Sequence, residues 1–261
     1  MTRPAFSRLP VTVNLPLLLQ ALAAIEDESW RGHFNHAYHT GDWSGVALVS
    51  AADALTELSP GRGQPLFRAP WTADGRWQEA LRDWPLDIIS ARLLRLGPGG
   101  RIHEHRDYDL GGPDGDLRLH IPLLSPPEVD FWLDGQRIPM KAGECWFLDL
   151  SRPHRVDNRD TLPRVHLVLD CRPDPWLEQQ IVQGRPATPA AGAGQSDLMR
   201  FQQQVQTDPQ LARTLQALHD VEAFAERVIE SAARYGLHVT REELRAAMGN
   251  GRRQGREPWK A

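Results

Sequence analysis

The chain has 261 residues, a formal net charge of -4 at pH 7, 41% hydrophobic residues and 25% charged residues. These values are ordinary for a globular protein that can bury a substantial core, and they include no basic excess of the kind that binds nucleic acid. The apolar runs are too short and too interrupted to span a bilayer, and the first residues lack a signal-peptide pattern. We therefore expect a cytoplasmic protein with neither nucleic acid nor membrane as a partner.

The first two regions of the chain differ in their predicted secondary structure. Residues 1 to about 85 are rich in Trp and His and contain one predicted amphipathic helix, over LPLLLQALAAIED. Residues 86 to about 176 are a series of short apolar segments separated by Gly, Pro and Asp turns. Short strands without long helices between them predict an antiparallel sandwich or barrel. The segments are IISARLLRL, DLRLHIPLL, VDFWLDG, GECWFLDL and RVHLVLDC.

The C-terminal third changes from strands to helices. The segment GRPATPAAGAGQ is rich in Gly, Ala and Pro and is typical of a linker. Helical periodicity follows it, with capping residues at the expected positions. The start and stop signals are Ser196, Asp208 with Pro209, Asp220, Gly236, and Thr240 with Glu243 as a capping box.

These composition changes predict four parts of the chain. The last part carries three Arg and one Lys against one Glu, which is typical of a basic tail. The parts are a main domain at 1–183, a linker at 184–195, a helical domain at 196–248 and a tail at 249–261.

Residues 101–109, RIHEHRDYD, contain a candidate metal site. His105 and Asp107 are two residues apart in an extended segment, so both side chains project to the same side. His154, 49 residues further on, offers a third ligand just after the predicted strand ECWFLDL. Two histidines and one carboxylate on one face of an octahedron leave three positions open, as in non-haem Fe(II) oxygenases. A lone His-x-Asp pair is common by chance, so this site needs further support.

That support comes from arginines on the neighbouring predicted strands. Arg164 begins RVHLVLD, whose alternation places Arg164, His166 and Asp170 on one face. Its guanidinium could pair bidentately with the distal carboxylate of 2-oxoglutarate. The strand DLRLHIPLL places Arg118 and His120 together on one face. Inward-facing Arg and His side chains are costly without an anionic ligand or partner.

The ordered motifs resemble the aspartyl/asparaginyl β-hydroxylase family of Fe(II)- and 2-oxoglutarate-dependent dioxygenases. The motifs are ARLLRLGPGGRIHEHRDYD, DLRLHIPLL, AGECWFLDLSRPHRVDN and PRVHLVLD, with HTGDWSGVALVS similar to an upstream Gly-x-Trp stretch. The resemblance covers about residues 30–176. It implies the double-stranded β-helix, or jelly roll. Together with the predicted helices, we expect a mainly β fold with N-terminal helices and a small C-terminal all-α domain.

The resemblance also implies roles for individual residues. His105, Asp107 and His154 become the iron ligands, and Arg164 becomes the anchor of the 2-oxoglutarate distal carboxylate. Arg118 and His120, on the Arg-x-His strand, are expected close to that co-substrate. Dioxygen is then the second co-substrate, and ascorbate is a possible addition in vitro.

The substrate is left open by two features of this resemblance. Animal peptide-hydroxylating members lack the Asp ligand and carry a hydroxyl residue where this chain has Leu94. ARLLRL and HRDY are similar to bacterial members, including hydroxylases of free proline. We expect an Asp- or Asn-type residue in a peptide or protein as the substrate. The alternatives are a free amino acid such as proline, or a metabolite-binding regulatory module without turnover.

Several other residues have competing interpretations. His103 is an alternative to His105 as a ligand. His33, His36 and His39 could form a second metal site, although a solvated or substrate-facing cluster is the favoured interpretation. Cys145 and Cys171 suit a reducing compartment as small buried residues. Asp109 and Asp157 are expected in turns.

The helical region resembles a Nif11 domain, the module also found as the leader region of some ribosomal peptide precursors. The resemblance covers residues 196–248, in the pattern F…DP.L…L…A…YG…T.EEL. It suggests docking of a peptide or protein partner. The alternative is a helical cap that packs on the barrel.

Overall fold

The computed structural model describes residues 3–110, 115–184, 197–218, 220–241 and 244. The predicted caps Ser196 and Glu243, nearly all of the linker and the whole basic tail lie outside these residues. The strands are β1 (Phe6–Arg8), β2 (Arg31–Gly32), β3 (His39–Thr40), β4 (Trp43–Ala51), β5 (Pro65–Phe67), β6 (Ile88–Leu96), β7 (Arg101–His105), β8 (Leu117–Leu124), β9 (Val129–Leu133), β10 (Gln136–Ile138), β11 (Trp146–Leu148), β12 (His154–Asn158) and β13 (Arg164–Cys171).

The described strands form two antiparallel sheets. The larger sheet has the order β1-β11-β8-β13-β6-β4-β2, with β5 also paired to β4, and the smaller sheet has the order β10-β9-β12-β7-β3. Apolar side chains from both sheets, including Trp43, Leu96, Phe131 and Trp146, form one buried cluster between them. This arrangement confirms the predicted double-stranded β-helix.

The segment β3 to β7 shows how glycine permits close packing of the smaller sheet. Gly41 follows β3 with a φ of +78°, and a Cβ there would lie 2.9 Å from the Cα of Gly100. A side chain at Gly41 would be strained by the backbone conformation and would collide with the opposite turn. The two glycines therefore allow the chain to turn back against the start of β7.

Four of the described helices pack against the larger sheet. The described helices are α1 (Leu15–Ala23), α2 (Ala69–Ala73), α3 (Arg76–Leu81), α4 (Pro175–Gln183), α5 (Asp197–Thr207), α6 (Pro209–Gln216) and α7 (Val221–Arg234). The predicted N-terminal helix corresponds to α1, which begins where Asn14 accepts a hydrogen bond from the Leu17 N–H at 3.3 Å. Leu18 of α1 packs with Trp77 of α3 and Leu119 of β8 in the main core.

Helices α5 to α7 have a hydrophobic core of their own, which includes Phe201 and Val228. Two predicted caps are confirmed. Asp208 accepts hydrogen bonds from the first turn of α6, and Asp220 accepts one from Ala223 in α7. Gly236, with a φ of +70°, follows the end of α7 as expected. Across the described residues, we find no helix with the length and apolar character needed to cross a bilayer.

Candidate metal centre

Antiparallel pairing of β7 with β12 brings the candidate ligands together. His154, at the start of β12, is the register partner of His105, at the end of β7. Asp107 lies just beyond β7, where its N–H donates to the carbonyl of Leu150 at 2.8 Å. One ligand atom from each of His105, Asp107 and His154 lies within 4.8 Å of the other two. In the described chain, no other group of three or more His, Cys, Asp or Glu side chains meets this condition.

The donor atoms fit a divalent ion. Nδ1 of His105 is 2.7 Å from the carbonyl oxygen of His103, and Nδ1 of His154 is 3.0 Å from that of Arg152. A carbonyl can only accept, so each Nδ1 carries the proton and each neutral ring keeps an unprotonated Nε2 for a metal. His105 Nε2 lies 3.7 Å from Asp107 Oδ1, close enough for one ion to bind both. The site therefore offers two imidazole nitrogens and one carboxylate oxygen.

Asp107 is ionised and held by an arginine. Burial alone would raise the pKa of its carboxyl group, but the Arg118 charge and the neighbouring histidines hold that pKa well below its usual range. Arg118 Nη1 donates to Asp107 Oδ2 at 2.5 Å. Burial also acts on His154, and together with the neighbouring His105 it lowers the pKa of His154 to about 3. Both residues are thus in the protonation state that binds a cation.

Arg118 lines the cavity, and its guanidinium also has partners within the chain. We expected this guanidinium close to the co-substrate. In the structure it lies between two carboxylates, Asp107 and Asp170, with Nε 2.6 Å from Asp170 Oδ1. Asp170 also accepts a hydrogen bond from Arg92 of β6. All four residues are joined in one ionic network beside the candidate ligands.

Arg164 is buried, and no carboxylate of the described residues lies beside it. It is 2% exposed, and no salt bridge to it is found among the described residues. Its Nη2 lies 2.7 Å from His166 Nδ1, and its Nε has no hydrogen-bond partner there. Burial lowers the pKa of the guanidinium to about 9. An isolated cation in such a position is costly unless an anion joins it.

His120 continues this polar arrangement on β8. Its Nδ1 lies 3.3 Å from His166 Nδ1, and its buried Nε2 has no partner in the described structure. Burial holds the pKa of His120 well below its ordinary value, and the charge of Arg164 acts in the same direction. The predicted common face of Arg164 and His166 is therefore confirmed by their contact, with His120 facing them from the adjacent strand.

The polar side chains described above lie around a cavity of about 110 Å³. The cavity reaches the candidate ligands, Arg92, Arg118, His120 and Arg164, and Leu94 forms part of its wall. An aromatic wall closes the other side. The aromatic and heteroaromatic wall residues are His33, Phe34, Tyr38 and Trp43.

The aromatic wall residues stack on one another. The His33 ring lies 3.4 Å from the Trp43 ring at an interplanar angle of 11°, and the Tyr38 ring lies 4.9 Å from the His105 ring. Burial lowers the pKa of His33 to about 3, so this ring is neutral. His33 faces the cavity, whereas His36 and His39 do not line it. This arrangement fits a substrate-facing position for His33 better than a second metal site formed by His33, His36 and His39.

Some expectations from the sequence need correction, and some contributors were not foreseen. His103 contributes its carbonyl to His105, and its side chain is not in the converging group. Asp157 was expected in a turn, which is wrong: it is buried in β12 and paired with Arg101 at 2.7 Å. Arg92 was missed. Its position among the apolar residues of the predicted strand IISARLLRL could have indicated a buried ionic contact, because a buried charge needs a partner.

The fold and this cavity define a class of protein. A jelly roll that brings two histidines and one carboxylate into a buried cavity, beside an arginine that has no counter-ion among the described residues, is the architecture of the Fe(II)- and 2-oxoglutarate-dependent dioxygenases. Residues 19–173 match the family described as aspartyl/asparaginyl beta-hydroxylase, and the chain belongs to this family. It is therefore an Fe(II)/2-oxoglutarate-dependent dioxygenase, a hydroxylase. Residues 195–244 match the Nif11 domain.

Solved structures with partial similarity include three oxygenases. The first is a 2OG-Fe(II) oxygenase family oxidoreductase from Burkholderia pseudomallei, with 14% identity over 64% of this chain and 84% of that chain, and a TM-score of 0.42. The second is a viral collagen prolyl hydroxylase from Paramecium Bursaria Chlorella virus-1, with 12% identity over 66% and 97% of the two chains and a TM-score of 0.43. The third is a Pseudomonas putida prolyl-4-hydroxylase, with 13% identity over 66% and 94% and a TM-score of 0.39.

Proposed function

We propose that His105, Asp107 and His154 bind Fe(II), and that Arg164 binds the distal carboxylate of 2-oxoglutarate. The observation that carries this proposal is the buried Arg164 guanidinium, which has no carboxylate partner in the described residues yet shares a cavity with the three candidate ligands. A guanidinium can bind a carboxylate through two parallel hydrogen bonds. 2-Oxoglutarate is a dianion. With one carboxylate at Arg164 and the other at the metal, it would compensate the positive charge at both places.

The residues of the chain would hold the ion and the co-substrate in position and exclude water from them. The carbonyls of His103 and Arg152 fix the tautomers of the two histidines, which leaves both Nε2 atoms unprotonated and able to bind the ion. Apolar walls at Ile102 and Leu150 limit the access of water. His120, from the same Arg-x-His strand as Arg118, offers an unpartnered nitrogen to the co-substrate. When bound, Fe(II) and 2-oxoglutarate supply the activation of dioxygen for hydroxylation of a C–H bond.

The substrate we favour is an Asp- or Asn-type residue in a peptide or protein. The described cavity and its ionic network carry one net positive charge. They contain three buried arginines, Arg92, Arg118 and Arg164, but only two carboxylates, Asp107 and Asp170. A divalent ion and a dianionic co-substrate do not change that balance. The carboxylate of an Asp side chain would complement it, whereas the neutral amide of Asn would not. A free amino acid such as proline also brings a carboxylate, although its ammonium group makes it neutral overall, and is the alternative.

The helical region supports the choice of a peptide or protein. We propose that residues 196–248 dock a peptide or protein partner and that residues 1–183 form the catalytic domain, with the linker at 184–195 between them. The match to the Nif11 domain supports this role, because such modules also occur as leader regions of peptide precursors. The buried, reduced cysteines Cys145 and Cys171 suit a cytoplasmic location.

A turnover experiment tests this function. The full chain is incubated with Fe(II), ascorbate, dioxygen and 2-oxoglutarate, and succinate is measured together with product mass. Free proline, aspartate and asparagine are compared with a pool of Asp- and Asn-containing peptides. We expect succinate formation and the gain of one oxygen atom on a peptide. Hydroxylation of a free amino acid alone would overturn the peptide assignment, and the absence of succinate with every substrate while iron is bound would favour the metabolite-binding module without turnover.

A further inference from the structure

The two oxygens of Asp107 have different neighbours. Oδ1 faces His105 Nε2 at 3.7 Å, on the side where the three candidate ligand atoms converge. Oδ2 accepts a hydrogen bond from Arg118 Nη1 at 2.5 Å. Only one oxygen of this carboxylate is therefore available to an ion. A metal held by three donor atoms keeps three of its six positions open, whereas a carboxylate that bound through both oxygens would occupy one of these three.

Arg118 can hold Oδ2 because its own position is fixed from behind. Asp170 on β13 accepts from both Nε and Nη2 of Arg118, at 2.6 and 3.0 Å. A two-point contact of this kind fixes the plane of a guanidinium as well as its position. The same carboxylate accepts from Arg92 on β6. Positive and negative charges thus alternate along the series Arg92, Asp170, Arg118 and Asp107. The first three of these residues are at most 9% exposed.

We propose that Asp170 is a positioning residue for the metal centre. It acts through Arg118, which occupies one oxygen of Asp107 and keeps that carboxylate a one-oxygen ligand. The proposal rests on the proposed function, since it presupposes that Asp107 binds the metal. Without Asp170, Arg118 loses both contacts that orient it, and Asp107 becomes able to rotate and present both oxygens to the ion.

The experiment measures metal binding, without turnover. Co(II), which replaces Fe(II) without oxidation, is titrated calorimetrically into the metal-free full chain, and the visible absorption of the Co(II) form reports its coordination. In Asp170→Asn we expect the dissociation constant for Co(II) to rise about tenfold to a hundredfold, the usual effect of losing a residue that supports a ligand. We also expect a changed absorption spectrum, because the number of bound oxygens changes.

Asp130→Asn is the matched control. Asp130 is 5% exposed, against 4% for Asp170, and it also accepts from two arginines, Arg137 and Arg159. It lies on β9 of the smaller sheet and does not line the cavity. Its replacement removes the same charge from a carboxylate that is equally buried, although its arginine partners are more exposed than Arg92 and Arg118. We expect the affinity and spectrum of this variant to match those of the parent chain.

The outcomes separate this inference from the proposed function. If His154→Ala binds Co(II) as the parent does, the proposed ligand set is wrong. If His154→Ala loses Co(II) but Asp170→Asn retains the parental affinity and spectrum, only the positioning role is wrong. Should Asp170→Asn fail to fold, the double variant Arg92→Gln/Asp170→Asn removes one cation with one anion. It keeps the network balanced and must show the same weakened affinity and altered spectrum; parental values there overturn the proposal.

Discussion

Replacing Arg164 with Met should stabilise the ligand-free protein while weakening its binding of 2-oxoglutarate. The guanidinium is 2% exposed and unpaired with any carboxylate in the described structure, and burial lowers its pKa from the ordinary value for arginine to about 9. That change corresponds to roughly 5 kcal/mol of destabilisation of the charged form. Its hydrogen bond to His166 Nδ1, 2.7 Å long, offsets about 1.5 to 3 kcal/mol. Removing the charge should therefore raise the free energy of unfolding by roughly 2 kcal/mol.

The same change should have the opposite effect on the co-substrate. Truncating one member of a buried charge pair costs about 2 to 5 kcal/mol, which corresponds to a dissociation constant for 2-oxoglutarate raised about 30-fold to several thousandfold. Urea unfolding of the metal-free chain measures the first effect. Calorimetric titration of 2-oxoglutarate into the Mn(II) form under anaerobic conditions measures the second.

Arg164→Lys is the control for this prediction. Lys keeps the positive charge without the planar fork, so it should leave the stability near that of the parent and weaken 2-oxoglutarate binding less than Met does. A Met variant that is less stable than the parent and still binds 2-oxoglutarate with parental affinity would refute the reasoning. In that case Arg164 would be a structural residue whose counter-ion is elsewhere.

Three further predictions concern the metal, pH and the helical region. His154→Ala should abolish Co(II) binding measured by calorimetry, whereas His33→Phe, which changes another cavity histidine, should retain it. Because the folded chain keeps His33 neutral with a pKa of about 3, its contribution to stability is complete above pH 6.5 and is lost as the pH falls toward 3. Urea unfolding should show that the free energy of unfolding falls between pH 6.5 and pH 5. This fall should be smaller in His33→Phe than in the parent chain by about 2 kcal/mol. Asp208→Ala should lower the midpoint of thermal unfolding of the helical region, and Asp208→Asn should lower it less, since Asn also caps.

Local features of the fold could be predicted from the sequence because they depend on near neighbours. The alternation in RVHLVLDC predicted the common face of Arg164 and His166, and these side chains are in contact. Asp208 and Asp220 were predicted as caps, and both accept hydrogen bonds from the helices that they begin. Strand alternation and capping act over a few residues, so their signals survive in a short window of sequence.

Other features were not predictable in this way. The strand β4, Trp43–Ala51, is buried along its whole length and so lacks the alternation that marks a half-buried strand. Asp157 resembled a turn residue because nothing nearby in the sequence indicates that Arg101 pairs with it. Arg118 could be placed on the correct face, but whether it meets a co-substrate or a carboxylate of the chain depends on which strands lie opposite.

The sequence by itself determined the helix caps, the faces of the alternating strands and the chemistry of the candidate ligand set, His105, Asp107 and His154. Only the tertiary structure decided which of these faces meet. The register of β7 and β12 places His105 opposite His154 across 49 residues of chain, and the order β8-β13-β6 gives Asp170 to both Arg118 and Arg92. Strand order and register follow from the packing of the whole core, so no local pattern contains them.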